Sequence, residues 1–213
     1  MQLSFGNAAG EFHKRPDIEG GVYLTDSLVS AAQFACYAVE GETPEKVEVL
    51  EFLWKGEGIA VYDFKTSDDP NYHKFLNYNG GLDDSFKKEA AKIYENAMIT
   101  GYGHCARSEY VLNEGFHSPM IQNIPGGGDD LTDLFWQYAI VKQAAISHAL
   151  EFKEHYSNIY CSSIPFGETL SARMYAEGQG GNPAFAKRLA KLQNPKYHPK
   201  SSKVVFQQQD AVL

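Results

Sequence analysis

Three short stretches of this chain carry side chains whose type and spacing can do chemistry. The first runs from Gly20 to Tyr37 and reads Gly-Gly-Val-Tyr-Leu-Thr-Asp-Ser-Leu-Val-Ser-Ala-Ala-Gln-Phe-Ala-Cys-Tyr. Val22-Tyr23-Leu24 is a β-prone run entered through two glycines, and Asp26 or Ser27 offers a side-chain oxygen to the orphan N–H groups of a following helix. Leu28, Ala31, Ala32, Ala35 and Ala38 recur at three- and four-residue spacing, one face of that helix. An exposed turn between fixed flanks is a common place for a ligand site, and Tyr23, Phe34 and Tyr37 add flat aromatic surface. By residue type alone, the stretch is an ordinary β–α unit with aromatic core residues. The second stretch, Gln2 to Gly6, reads as a short strand ending at a glycine. The third, Leu134 to Val141, is a strongly apolar strand interrupted by one amide, Gln137. A competitor for its role is Ser108-Glu109-Tyr110-Val111, which carries a carboxylate.

Read without gaps, the Gly20–Tyr37 stretch resembles the Gly-Ile-Tyr-Phe-Ala-Asp stretch and following helix of ADP-ribosyltransferases of the poly(ADP-ribose) polymerase and diphtheria-toxin branch. The resemblance implies that Tyr23 and Phe34 stack on nicotinamide from its two sides. It implies that the Gly6 backbone binds the nicotinamide amide, and that Thr25, Asp26 and Ser27 touch the ribose or phosphates. Three positions depart from the family. Phe5 stands where a His or Arg holds the dinucleotide, and reads as core packing. Ala31 stands where a serine holds the nicotinamide amide, so that contact is missing. Gln137 stands where the catalytic glutamate precedes Tyr, with Ile146 matching the apolar residue downstream; Glu109 is the alternative for that place.

The third departure matters most for chemistry. ADP-ribosyl transfer breaks the nicotinamide–ribose bond through a transition state with oxocarbenium character, which an anionic carboxylate on the ribose 2′-OH stabilises. Glutamine still orients the hydroxyl but carries no charge and cannot act as a base. Losing one positioned electrostatic group costs about 100- to 1000-fold in rate. The resemblance thus implies a mono-ADP-ribosyltransferase-like protein that uses NAD as substrate and passes ADP-ribose to an unknown acceptor. Its alternatives are a weak or inactive NAD- or ADP-ribose-binding pseudoenzyme and a structural interaction module. Polymer formation is disfavoured, because elongation in the family is linked to the absent His and Glu.

Composition bounds the rest. A chain of 213 residues with 43% hydrophobic and 22% charged residues suits one soluble globular domain, with or without an appendage. We divide it into a catalytic domain over 1–150 and an extension over 151–213, basic near its end, packed on it. A net charge of −8 argues against general nucleic-acid binding. No apolar run is long enough for a membrane span and no secretory signal is evident. Three dispersed cysteines, Cys36, Cys105 and Cys161, suggest reduced thiols in a cytoplasmic protein. The seven histidines lack metal-ligand spacing, so no metal is expected, and no GxSxG elbow supports a serine hydrolase.

These residues imply an α+β fold of the ADP-ribosyltransferase type, with split antiparallel β-sheets and surrounding helices forming an NAD cleft. Strands are expected at Val47–Trp54 and Ile59–Phe64, paired as a hairpin. Lys65–Leu82 reads as a loop marked by Pro70 and Gly80-Gly81. Asp83–Ala97 reads as a helix capped by Asp83 or Asp84, with Phe86, Ala90, Ile93, Tyr94 and Ala97 as its apolar stripe. Strand-like pieces follow from Met98 to Leu112, and Gly126–Gly128 with its acidic neighbours reads as a surface loop. His155–Phe166 reads as a further strand or a wrapped extension. Ala184–Leu192 reads as an amphipathic helix, and the cluster of Lys and Arg around it as a solvated tail.

Overall fold

The computed structural model describes residues 22–37, 43–56, 58–64, 69–79, 83–103, 135–165, 170–178, 181–194 and 204–209. Phe5, Gly6, Glu109 and the Gly126–Gly128 loop lie outside the described residues. The fold is mixed α+β, and its seven strands join in one sheet of order β3-β4-β5-β1-β7-β2-β6. These strands are β1 (Val22–Thr25), β2 (Lys46–Trp54), β3 (Val61–Asp63), β4 (Met98–Gly103), β5 (Phe135–Ile140), β6 (Leu150–Tyr160) and β7 (Val204–Gln209). The helices are α1 (Leu28–Tyr37), α2 (Pro70–Asn79), α3 (Lys87–Tyr94), α4 (Gln143–Ala149), α5 (Ala172–Glu177) and α6 (Pro183–Gln193).

The sheet consists of two blocks. In one, β5 pairs antiparallel with both β1 and β4, and β3 pairs parallel with β4. In the other, β2 pairs antiparallel with β6 and β7. Among the described residues the seam between them is the register pair Thr25 opposite Phe206. Apolar residues from both blocks meet in one cluster: Val22, Leu24, Met98, Tyr138 and Ile140 from the first, Leu50 and Phe52 from the second. A second cluster, rich in aromatic rings, forms under α2 and α3 and includes Phe64, Tyr72, Phe75, Tyr78, Phe86, Ile99 and Ala139. A third packs α1, α5 and α6 on β2 and β6 through Ala31, Ala32, Val47, Val49, Tyr156, Ile159, Tyr175, Phe185 and Leu189. Residues beyond 150 supply β6 and β7, so the sheet is built from both segments of the chain.

Local sequence explains most elements. The Asp83 carboxylate accepts from the Ser85 N–H at 2.8 Å, opening a 3₁₀ turn (Asp84–Phe86) that runs into α3. Phe86, Ala90 and Ile93 of the expected stripe are buried along that unit, Tyr94 is half-buried, and Ala97 lies beyond the helix, which ends at Tyr94 rather than at Ala97. Asn182 caps α6 by accepting from Ala184 and Phe185 N–H, and Pro183 takes the first helical position.

Three expectations are corrected. Lys65–Leu82 is not all loop, because Pro70 opens α2 at the position that tolerates proline. Asp69 caps it, accepting from the Asn71 N–H at 2.8 Å, and Tyr72 and Phe75 are fully buried one turn apart. The Val47–Trp54 and Ile59–Phe64 segments do not form a hairpin: β2 pairs with β6 and β7, and β3 with β4. The Gly56–Gly58 turn redirects the chain instead. A Cβ at Gly56 would overlap the Trp54 indole, and Gly58 sits at φ +84°. Finally, Cys36 and Cys161 are joined in a disulfide, with Cα atoms 5.5 Å apart. Distance in sequence concealed their proximity, since the end of β6 returns under α1. With that bond formed, only Cys105 of the three cysteines reacts with a thiol reagent in denatured, non-reduced protein; three reacting thiols would contradict the pairing.

Candidate functional site

The β1–α1 turn is fixed by its own hydroxyls. Thr25 Oγ1 accepts from the Ser27 N–H at 3.1 Å, and Ser27 Oγ accepts from the Ser30 N–H at 3.1 Å. Ser27 is therefore the helix cap, and its carbonyl also takes the Ala31 N–H at 3.0 Å. Thr25 is buried, whereas Asp26 is exposed at the apex.

The strand register then brings the turn to the run containing Gln137. Tyr23 lies opposite Ala139, Leu24 opposite Tyr138 and Thr25 opposite Gln137, and Gly101 of β4 flanks Gln137 on the other side. Alternation places positions 23, 25, 137 and 139 on one face of the sheet, and 22, 24, 138 and 140 on the other. Tyr23 is half-buried and packs on the aromatic cluster beneath α2 and α3. In that region Asn79 is 2% exposed; its Oδ1 accepts from the Tyr94 hydroxyl at 2.5 Å, while Nδ2 is buried without a protein partner.

The remaining predicted site residues fall elsewhere or are only partly described. Ala31 is buried on the α1 face with Ala32 and Ala35, against Val47 and Val49. Phe34 lies on α1, one turn after Ala31. The turn and the Gln137 strand are thus brought together, and Ala31 packs in a different apolar cluster from Tyr23.

The opposite face of this block holds a polar row. Thr100 Oγ1 donates to Asp63 Oδ1 at 2.7 Å, and Thr100 lies opposite the buried Tyr138. Burial pushes the Tyr138 phenol far up, with the Asp26 and Asp63 carboxylates adding to the shift.

A second polar centre was not foreseen. Glu51 is 1% exposed and the one charged side chain buried among the described residues. Arg188 grips it in a fork, Nε to Oε2 at 3.0 Å and Nη2 to Oε1 at 2.7 Å. Lys153 Nζ lies 3.2 Å from Oε1, and the Tyr156 hydroxyl donates to Oε2 at 2.5 Å. The β2–β6 register shifts between Glu51 and Phe52, leaving Lys153 as the extra residue of a bulge. Both carboxylate oxygens are occupied, so this centre ties α6 and β6 to β2. Burial, then the hydrogen bond to Glu51, raises the Tyr156 phenol far above its ordinary value. The sequence signal was a glutamate within the apolar run Val47–Trp54, since a charge in a buried strand requires a partner. The partner came from the presumed solvated tail.

Among the described residues no group of three or more His, Cys, Asp or Glu side chains is placed to hold a metal ion. None of their helices is long and apolar enough to cross a membrane. No family model, curated protein or solved structure matches this chain.

Two outcomes follow. Replacing Glu51 with Ala leaves Arg188 without its buried partner and should lower unfolding free energy by about 3–5 kcal/mol in denaturant titration. A loss below about 1 kcal/mol would show the fork to be dispensable. At high pH the sign is set by the raised phenols. Unfolded tyrosines ionise near 10.0 while Tyr138 and Tyr156 keep their protons in the folded state. The unfolded chain then binds fewer protons, so stability is complete below pH 10 and falls as pH rises beyond it. Ultraviolet titration should show Tyr138 and Tyr156 ionising only with unfolding, and early ionisation of both would refute their burial.

Proposed function

We propose that this chain is an NAD-binding protein of the ADP-ribosyltransferase type, with its site on the β1–α1 turn and the facing β5 strand. The observation that carries this reading is the register that sets Thr25 opposite Gln137 and Tyr23 opposite Ala139. Two sequence motifs far apart in the chain become neighbours on one sheet face, as a shared ligand would require. A fold of two blocks pinched between β1 and β7 suits the split-sheet architecture.

In this reading Tyr23 offers one stacking surface and Phe34 on α1 the other. Gln137 orients the ribose hydroxyl, and exposed Asp26 borders the site. Thr25 is buried and holds the turn, while Ser27 spends an oxygen lone pair on the Ser30 N–H and keeps a hydroxyl hydrogen to donate to a phosphate or ribose oxygen. The reaction is cleavage of the nicotinamide–ribose bond with transfer of ADP-ribose to an acceptor not yet identified. Because position 137 is an amide, turnover is slow or needs another anion, and binding without turnover is the second reading. The Cys36–Cys161 disulfide favours an oxidising compartment over the cytoplasm.

The test is nicotinamide release from NAD by wild type, Gln137→Glu and Tyr23→Ala. An active transferase releases nicotinamide as wild type and loses release in Tyr23→Ala. Silence in wild type with activity gained in Gln137→Glu identifies a site disarmed at one position. Release that is equal in wild type and Tyr23→Ala would sink this assignment of the site.

A further inference from the structure

The chain's one described disulfide joins a short helix to the rest of the fold. Helix α1 has ten residues, and the described part of its buried face carries Leu28 and the partly buried Val29 beside small side chains, Ala31, Ala32, Ala35 and Cys36. An alanine methyl removes far less apolar surface from water than a leucine or phenylalanine side chain. The neighbouring helix α6 is anchored differently: Phe185 and Leu189 are buried and Arg188 grips Glu51. The Gln33 amide donates to the Pro165 carbonyl at 3.0 Å, and the turn before the helix carries its own caps. Cys36, near the C-terminal end of α1, is bonded to Cys161 in the 3₁₀ turn (Cys161–Ser163) that ends β6. The bond joins residues 125 apart in sequence and ties the end of α1 covalently to the end of β6.

We propose that the Cys36–Cys161 disulfide is a redox latch on α1: oxidised, it holds the helix on β2; reduced, it lets the helix open while the β3-β4-β5 part of the sheet stays folded. The second half of this statement rests on separate packing. Strands β3, β4 and β5 with α2 and α3 enclose their own aromatic cluster, in which no α1 side chain takes part among the described residues. In the reduction, a dithiol supplies two electrons and two protons, the sulfur–sulfur bond breaks to two thiols, and the dithiol leaves as its own disulfide. Both cysteines are almost fully buried, at 1% and 2% exposure, so a reductant reaches the bond through brief local opening of the fold and reduction is slow. The latch therefore closes in an oxidising compartment and, once closed, resists casual reduction. Helix α1 also carries Phe34 and follows directly on the Tyr23–Ser27 turn, so opening it would take apart whatever binds there. The latch itself depends on the helix and the bond alone, not on the NAD reading.

The test is hydrogen exchange, resolved by segment, on the full chain before and after reduction with dithiothreitol, and on Cys36→Ser. Loss of the bond should speed exchange of α1 amides by roughly 30- to 1000-fold, the range expected for removing such a cross-link. The amides of β4, β5 and α3 should keep their protection. Unchanged α1 protection in both reduced and Cys36→Ser protein would overturn the proposal, because the helix would then be held without the bond. Equal loss of protection in α1 and in β4 would also overturn it, because the bond would be a global staple with no local switch. Cys105→Ser serves as the control and should leave both segments unchanged.

Discussion

A carboxylate held out of water at Glu51 constrains how the second half of this fold is assembled. Isolated in an apolar strand, it would be too costly to keep ionised. It persists because β6 and α6 deliver Tyr156, Lys153 and Arg188 to its two oxygens. The bulge in β6 is part of this arrangement, since the extra residue it creates is Lys153 itself. Once β2, β6 and α6 are fixed, the apolar floor of Val47, Val49, Ile159 and Phe185 exists for α1 to lie on. The position of α1 in turn sets the turn that precedes it.

That turn is where the two halves meet. Thr25 pairs with Gln137 on one side and with Phe206 on the other, so a single residue belongs to both blocks. Its hydroxyl accepts from the Ser27 N–H, and Ser27 starts α1. Strand, seam, cap and helix are therefore consecutive in the chain and mechanically coupled. A ligand held between the strand and the helix would report on both blocks at once. This is why the proposed site and the redox latch converge on α1 from independent observations.

How much of this could be read beforehand varies with the range of the interactions. The β1–α1 unit and α3 were legible because their caps and apolar stripes are local: Ser27 and Asp83 each accept from N–H groups within three residues; α6 was legible from its amphipathic spacing, its Asn182 cap being seen only in the structure. Helix α2 was missed because Pro70 and Gly80-Gly81 were taken as loop markers, although Pro70 takes the first helical position behind an Asp69 cap. Pairing partners were not legible, since the polarity of Val47–Trp54 is compatible with any neighbour. Glu51 within that run was a readable warning of a buried partner, but nothing local pointed to Arg188. The disulfide likewise depends on tertiary return of the chain. For the site, the register that sets Thr25 opposite Gln137 and Tyr23 opposite Ala139 is a long-range pairing that no local pattern could carry. Ala31 instead packs in the α1 core, as its apolar side chain dictates.

The central claim is that Tyr23 and the β5 strand form one NAD site, and thermal unfolding with increasing NAD tests it most directly. A ligand that binds only the folded chain must raise the melting temperature, and further with each increase in its concentration. The account predicts that rise for wild type and its loss in Tyr23→Ala. An unchanged melting temperature in wild type across the series would contradict it.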